Sequence, residues 1–197
     1  MRGQETLVNI EILWEALKPQ RGTSHGPEHS KMVSDYALQL HQIHGGDLEV
    51  IKAAAILHDA GREDTNLHGA ESIGLSGQKA KEIMTEAHWP ENFIDLVVQA
   101  IQEHDQPDHS PTSIEGKILK DADFLAGFGA IGIMRTFMWT GESGRSVDEA
   151  LHRLRVTMVQ RINGLEFTES KILGQRLYIE QVAPFLEAID HPPPLFP

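Results

Sequence analysis

Residues 53–64 read AAAILHDAGRED, and the reading of this stretch governs the reading of the rest. Three alanines and an Ile-Leu pair spell an apolar helix, and Gly61 stops it. The ionisable pair His58-Asp59 falls on its inward side just before that stop. Working back toward the amino terminus, Leu48, Ile51, Ala55 and His58 recur at helical spacing, and Asp47 stands where an N-cap belongs. A buried, ionised aspartate is costly unless a cation offsets it. The turn that closes this helix therefore asks for a positively charged partner.

The flanking segments also read at a period of 3.6. Leu7, Ile10, Leu13, Trp14 and Leu17 form one stripe, ended by Pro19. Pro27 suits a first helical turn, the next stripe is His29, Val33, Tyr36, Ala37 and Leu40, and Gly45-Gly46 ends it. A helix from about Gly69 to Ala87 follows, and Pro90 opens another with Phe93, Val97, Ile101 and His104 on one face. DQPDHSPTS, residues 105–113, reads as a loop. Ile118, Ala122 and Leu125 start a further helix, and residues 147–162 and 170–189 offer two more. No strand signal of useful length and no internal repeat emerges. The expected fold is all-α, an irregular multi-helix bundle forming one domain over residues 1–190. HPPPLFP, residues 191–197, is expected to be an extended Pro-rich tail.

Composition narrows the function. With 17 Lys+Arg against 29 Asp+Glu, the net charge of −12 repels phosphate backbones, so nucleic acid is not an expected partner. The longest stretch free of polar side chains, Phe124 to Met134, is well short of the roughly 20 residues of a spanning helix, and no membrane role is expected. The absence of cysteine removes disulfides, thiolate zinc sites and cysteine nucleophiles, and MRGQETLVNI carries no export signal. The cytoplasm is the expected compartment, and a homodimer is allowed for.

Eleven histidines in 197 residues are more than twice ordinary usage, about 5.6 %. The dipeptide His-Asp means little, since chance supplies about 0.6 copies and the chain has two. Placement means more. His29, His58 and His104 each lie on the apolar face of their own helix, and Asp121 and Asp123 flank the stripe in KILKDADFL. One inward histidine is ordinarily a satisfied core residue. Several inward imidazoles and carboxylates on successive helices, without thiols, suit Mn, Fe, Co, Ni or Mg better than a structural zinc.

The ordered motifs HGPEHSKMV, AAAILHDAGRED, HGAES and GKILKDADFLAGFGAIGIMR, roughly residues 25–135, resemble the HD superfamily of metal-dependent phosphohydrolases. The likeness is to the small bacterial single-domain HD hydrolases, some of which release pyrophosphate from nucleoside triphosphates. It implies His29, His58, Asp59 and Asp123 as metal ligands and Asp121 as an outer or capping residue. It also implies His68 and His104 as holders of a second metal or of substrate phosphate. Several relatives carry a catalytic acid three residues after the motif aspartate, where this chain has Arg62, and Glu63 and Asp64 follow at once.

The expected chemistry is attack of an activated water on a phosphorus of a nucleotide or another small phosphorylated metabolite. Arg62 and Lys120 are the cations best placed in sequence to offset developing charge, with Arg135 a weaker choice, and Glu63 or Asp64 is the candidate general base. A surface ion-pair role suffices for each of these residues if the chemistry lies elsewhere. Two other classes remain: a di-iron oxygenase in which His68 and His104 help to hold a second iron, and a metal-binding regulatory module without turnover. Gly127-Phe-Gly-Ala-Ile-Gly132 spells GxGxxG, but a helix precedes it, so close helix packing or a bend is the better reading. Trp14, Trp89 and Trp139 read as core or rim residues.

Overall fold

A computed structural model describes residues 10–16, 24–62, 70–105 and 110–192. Glu63, Asp64 and His68 lie outside the described residues, as does most of the HPPPLFP tail. Among the described residues every regular element is helical, as the periodicity predicts, and no helix is long and apolar enough to cross a membrane. In chain order the helices are α1 (Glu11–Ala16), α2 (Pro27–His44), α3 (Leu48–Leu57), α4 (Ala70–Glu86), α5 (Glu91–Glu103), α6 (Ile114–Ala126) and α7 (Gly129–Glu142). Then come α8 (Val147–His152), α9 (Met158–Asn163), α10 (Thr168–Leu177) and α11 (Ala183–Asp190). The expectation of one domain over residues 1–190 meets two compact units, divided between Asp123 and Phe124 inside α6.

The first unit is organised around α3. Val50, Ile51, Ala53, Ala54, Ala55, Ile56 and Leu57 are all buried, Glu49 and Lys52 keep the first turns partly at the surface, and α1, α2 and α5 pack against the helix. Truncating a side chain such as Leu57 would cost about 2–5 kcal/mol. The start of α3 is set by Asp47, whose carboxylate accepts from the backbone N–H of Glu49 at 3.0 Å and of Val50 at 3.2 Å. Gly45, with φ +76°, ends α2, and its N–H donates to the carbonyl of His41. Trp89 is buried and meets Phe93 edge to face, and α4 packs along α5.

Glu103, in the last turn of α5, ties down the start of α6. Its carboxylate accepts from the backbone N–H and hydroxyl of Thr112 and from the N–H and hydroxyl of Ser113, at 2.6–3.2 Å. Ser113 in turn caps α6, accepting from Gly116 N–H at 3.0 Å. Burial works to raise the Glu103 carboxyl, but these donors and Gln99 hold it down at about 2.

In the second unit α8 and α9 join through a π turn at Arg153–Thr157, and α10 and α11 through another at Tyr178–Val182. The buried stripe Ala150, Leu154, Met158, Ile162 repeats every fourth residue, as do Ser170, Gly174, half-buried Tyr178, Val182 and Leu186. An α-helix turns 100° per residue, so a strict fourth-residue stripe drifts by about 40° per step. A wider π turn takes up that drift and keeps each stripe on one side. α7 is not foreseen by the sequence reading: the helix of Ile118, Ala122 and Leu125 ends at Ala126 and restarts at Gly129. Gly129 has φ +68°, and a Cβ on Gly132 would collide with the carbonyl of Gly127. The GxGxxG stretch is thus a tight helix–helix turn, with α6 rather than a strand before it.

Glu103→Gln should lower the melting temperature by about 2–4 °C near pH 7, the equivalent of ~1 kcal/mol for a chain of this size. A carboxyl held below its unfolded value stabilises the fold above that value and loses the contribution as pH falls toward its folded value. The gap between wild type and variant, followed by calorimetry from pH 7 to pH 3, should stay constant down to about pH 5 and close below 4.5. A gap that does not change with pH would remove the charge from this account.

Candidate metal centre

Helices of the first unit bring imidazole and carboxylate groups to one buried point. His29 stands on the inward face of α2, His58 and Asp59 fill the turn after α3, His104 follows α5, and Asp123 lies on α6. The α3 turn owes its position to Gly61. Its N–H donates to Ser76 Oγ at 3.2 Å, and a Cβ there would run into the backbone of Leu75 and Ser76 on α4. No residue but glycine lets the His58-Asp59 turn lie this close to α4.

His29 Nε2 is 3.0 Å from Asp123 Oδ1, 3.2 Å from His58 Nε2 and 3.6 Å from Asp59 Oδ2. His58 Nε2 is 3.2 Å from Asp59 Oδ2 and 3.8 Å from Asp123 Oδ1. The two histidines and Asp59 are almost wholly excluded from solvent. The tautomers follow from the outer contacts. His58 Nδ1 is 2.9 Å from the carbonyl of Ala55, and His104 Nδ1 is 2.6 Å from that of Ile101. A carbonyl only accepts, so each Nδ1 carries the proton and each neutral ring turns the lone pair of Nε2 inward. His104 Nε2, on a ring packed edge to face with His58, has no hydrogen-bond partner among the described residues.

The electrostatics ask for a cation. Burial works to raise the Asp59 carboxyl, but the Arg62 guanidinium and His58 outweigh it and hold the group well below the usual carboxylate range. Asp123 is likewise held well below that range, against burial, by the hydrogen bond and charge of His29 and then by His58 and His104. Burial lowers the His58 imidazole, but Asp59 and then Asp123 raise it above its ordinary value. His104 is pushed down, by burial first. The Asp59 carboxylate and the imidazoles of His29 and His58, with donor atoms 3.2–3.6 Å apart and so close to the separations of ligands sharing one ion at about 2.0–2.2 Å, fit a divalent cation, and Asp123 adds a half-buried carboxylate 3.0 Å from His29 Nε2. The lack of a thiolate fits the harder first-row metals and Mg rather than a structural zinc.

Of the other residues singled out from sequence, Arg62 is the best defined. Its Nε pairs with Asp59 Oδ1 at 2.6 Å, and its Nη1 lies 3.1 Å from His25 Nε2. Lys120 is buried and sits one helical turn before Asp123, and Asp121 is wholly buried. Arg135 belongs to the second unit, with Nη1 3.4 Å from the carbonyl of Ala126. His25 is missed by the sequence reading. It precedes α2 and shares no stripe, and its one signal is the His-x-x-x-His spacing with His29.

A family model described as HD domain matches residues 27–127, a span that takes in His29, His58, Asp59, His104 and Asp123. YpgQ of Bacillus subtilis (strain 168) is 28 % identical over 138 residues, 68 % of this chain and 65 % of YpgQ, so the match spans just under two thirds of that relative. The crystal structure of B. subtilis YpgQ in complex with ADP resembles this fold with a TM-score of 0.72, at 24 % identity, over 93 % of this chain and 98 % of that one. An HD-superfamily hydrolase from Bacillus thuringiensis gives a TM-score of 0.67 at 25 % identity, over 92 % of each chain. With half of its length in the family match and the His/Asp cluster inside it, the chain belongs to the HD domain family.

Proposed function

We propose that the chain hydrolyses a phosphate ester or anhydride bond of a nucleotide, or of another small phosphorylated metabolite, with His29, His58, Asp59 and Asp123 holding one divalent cation. The observation that carries this reading is the convergence of His29 Nε2, His58 Nε2, Asp59 Oδ2 and Asp123 Oδ1 in a buried, thiol-free cluster. The complex of YpgQ with ADP supports a nucleotide as the substrate class. Mn, Co, Ni, Fe and Mg all suit such donors. When bound, a divalent cation lowers the pKa of a water toward neutrality and polarises the phosphoryl oxygen.

The chain's own groups do the rest. Arg62 holds one oxygen of Asp59, so the other faces the imidazoles. Lys120, and the guanidinium N–H groups of Arg62 not taken by Asp59 and His25, are the cations proposed to meet charge developing on the phosphate oxygens. Glu63 or Asp64 is proposed to take the proton from the attacking water. His104, whose buried Nε2 is aimed inward beside His58, is proposed to meet a second ion or the substrate phosphate, with His68 as its companion.

Metal-stripped protein should release phosphate or pyrophosphate from a panel of nucleoside phosphates only after Mn is restored. The assay separates the phosphomonoester from the α–β anhydride as the bond cut. Silence across nucleotides and sugar phosphates with every one of the five metals would defeat the reading. Asp59→Ala should lose both metal and turnover, with metal affinity falling by more than the about 10–100-fold typical of an outer partner. Because binding needs a neutral His58, whose pKa is raised by Asp59 and Asp123, Mn affinity should weaken as pH falls toward the ordinary imidazole range, by up to about tenfold per unit for each proton displaced. Calorimetric titrations in buffers of differing ionisation heat would count those protons.

A further inference from the structure

We infer that His25 is a positioning residue for the metal centre, acting through Arg62 to fix which oxygen of Asp59 faces the imidazoles. The inference rests on the assignment of Asp59 as a metal ligand. His25 Nε2 receives an N–H from Arg62 Nη1 at 3.1 Å; because a guanidinium only donates, that nitrogen is the acceptor and the ring proton sits on Nδ1. Nδ1 is 2.9 Å from Ser24 Oγ, so the hydroxyl accepts and holds the ring in this tautomer. Arg62 therefore donates both to Asp59 and to His25, and His25 donates onward to Ser24.

Geometry makes the chain more than a surface contact. Ser24 is 3 % exposed, and the Asp59 side chain is 4 % exposed. Arg62 follows Asp59 by three residues and pairs with Oδ1 through Nε at 2.6 Å. Oδ2 is thereby the oxygen left 3.2 Å from His58 Nε2 and 3.6 Å from His29 Nε2. Without an acceptor at His25, the long arginine regains rotamers that release Oδ1, and the carboxylate can turn about its own axis. The ring of His25 also packs edge to face on that of His29, with centroids 6.0 Å apart, so one residue braces two members of the cluster.

The experiment titrates Mn into metal-stripped wild type, His25→Ala, His25→Gln, Arg62→Gln and the His25→Ala/Arg62→Gln double variant by calorimetry. Each protein's melting temperature and Co(II) absorption spectrum are recorded alongside. His25→Ala should bind Mn about tenfold more weakly, the lower end of what outer partners of metal ligands contribute. His25→Gln, whose amide oxygen can still accept from Arg62, should stay within about threefold of wild type, with its Co(II) bands restored. The double variant should be no weaker than Arg62→Gln alone, because the two residues act in series. Wild-type Mn affinity in His25→Ala, with or without a lower melting temperature, overturns the inference, as does a fully additive loss in the double variant. Failure of the wild type itself to take up Mn or Co overturns the metal reading beneath it, and that outcome shows before any variant is compared.

Discussion

The site in the first unit answers to one electrostatic constraint: two carboxylates drawn largely out of water, Asp59 in the turn after α3 and Asp123 on α6, with imidazoles turned toward them. Isolated, such charges would protonate or pull the structure open. Here Arg62 neutralises the outer side of Asp59, while the inner sides of Asp59 and Asp123 face His29 and His58. The charges of Asp59 and Asp123 favour a positive partner, which is why His58 sits above its ordinary value against its burial. A divalent cation does the same work with twice the charge. The scaffold serves that arrangement: the last turns of α3, from Ala53 to Leu57, are wholly buried, and His58 and Asp59 come at its closing turn, where a glycine admits α4.

Much of this was legible in the residues. An apolar run that ends His-Asp-Ala-Gly can hardly be other than a buried helix with an ionisable end, and Asp47 and Gly45 mark boundaries by chemistry that is local to a few bonds. His29 and His104 were legible because they share stripes with Val33 and Ile101. What stayed hidden depends on contacts distant in sequence or off the stripes. His25 lies before its helix begins, and its meaning comes from Arg62, thirty-seven residues away. Glu103 reads as an exposed helix-end charge until Thr112 and Ser113 are seen to fold back on it. The break before α7 was obscured because Ile118, Ala122 and Leu125 set a period that nothing local contradicts until the three glycines of residues 127–132.

The two sides of the Asp59 carboxylate illustrate how function is layered on such a fold. One oxygen belongs to the protein, through an arginine that is itself held, and the other to whatever occupies the centre. That division gives the arginine at 62 its place in the cluster: its Nε serves Asp59 and its Nη1 meets His25.

The paired π turns carry a consequence for how the second unit breathes. At each one backbone N–H groups reach back five residues, as Met158 does to the carbonyl of Arg153 and Ala183 to that of Tyr178, where an α-helix would reach back four. The local ladder is therefore dilated while the side-chain stripe beneath it stays in register. Exchange of backbone amides with heavy water should accordingly begin at these two waists, with the flanking α-helical turns protected longer. Each long helix then behaves as two stiff rods sharing a soft joint, able to bend there without unseating Leu154 or Val182 from the core.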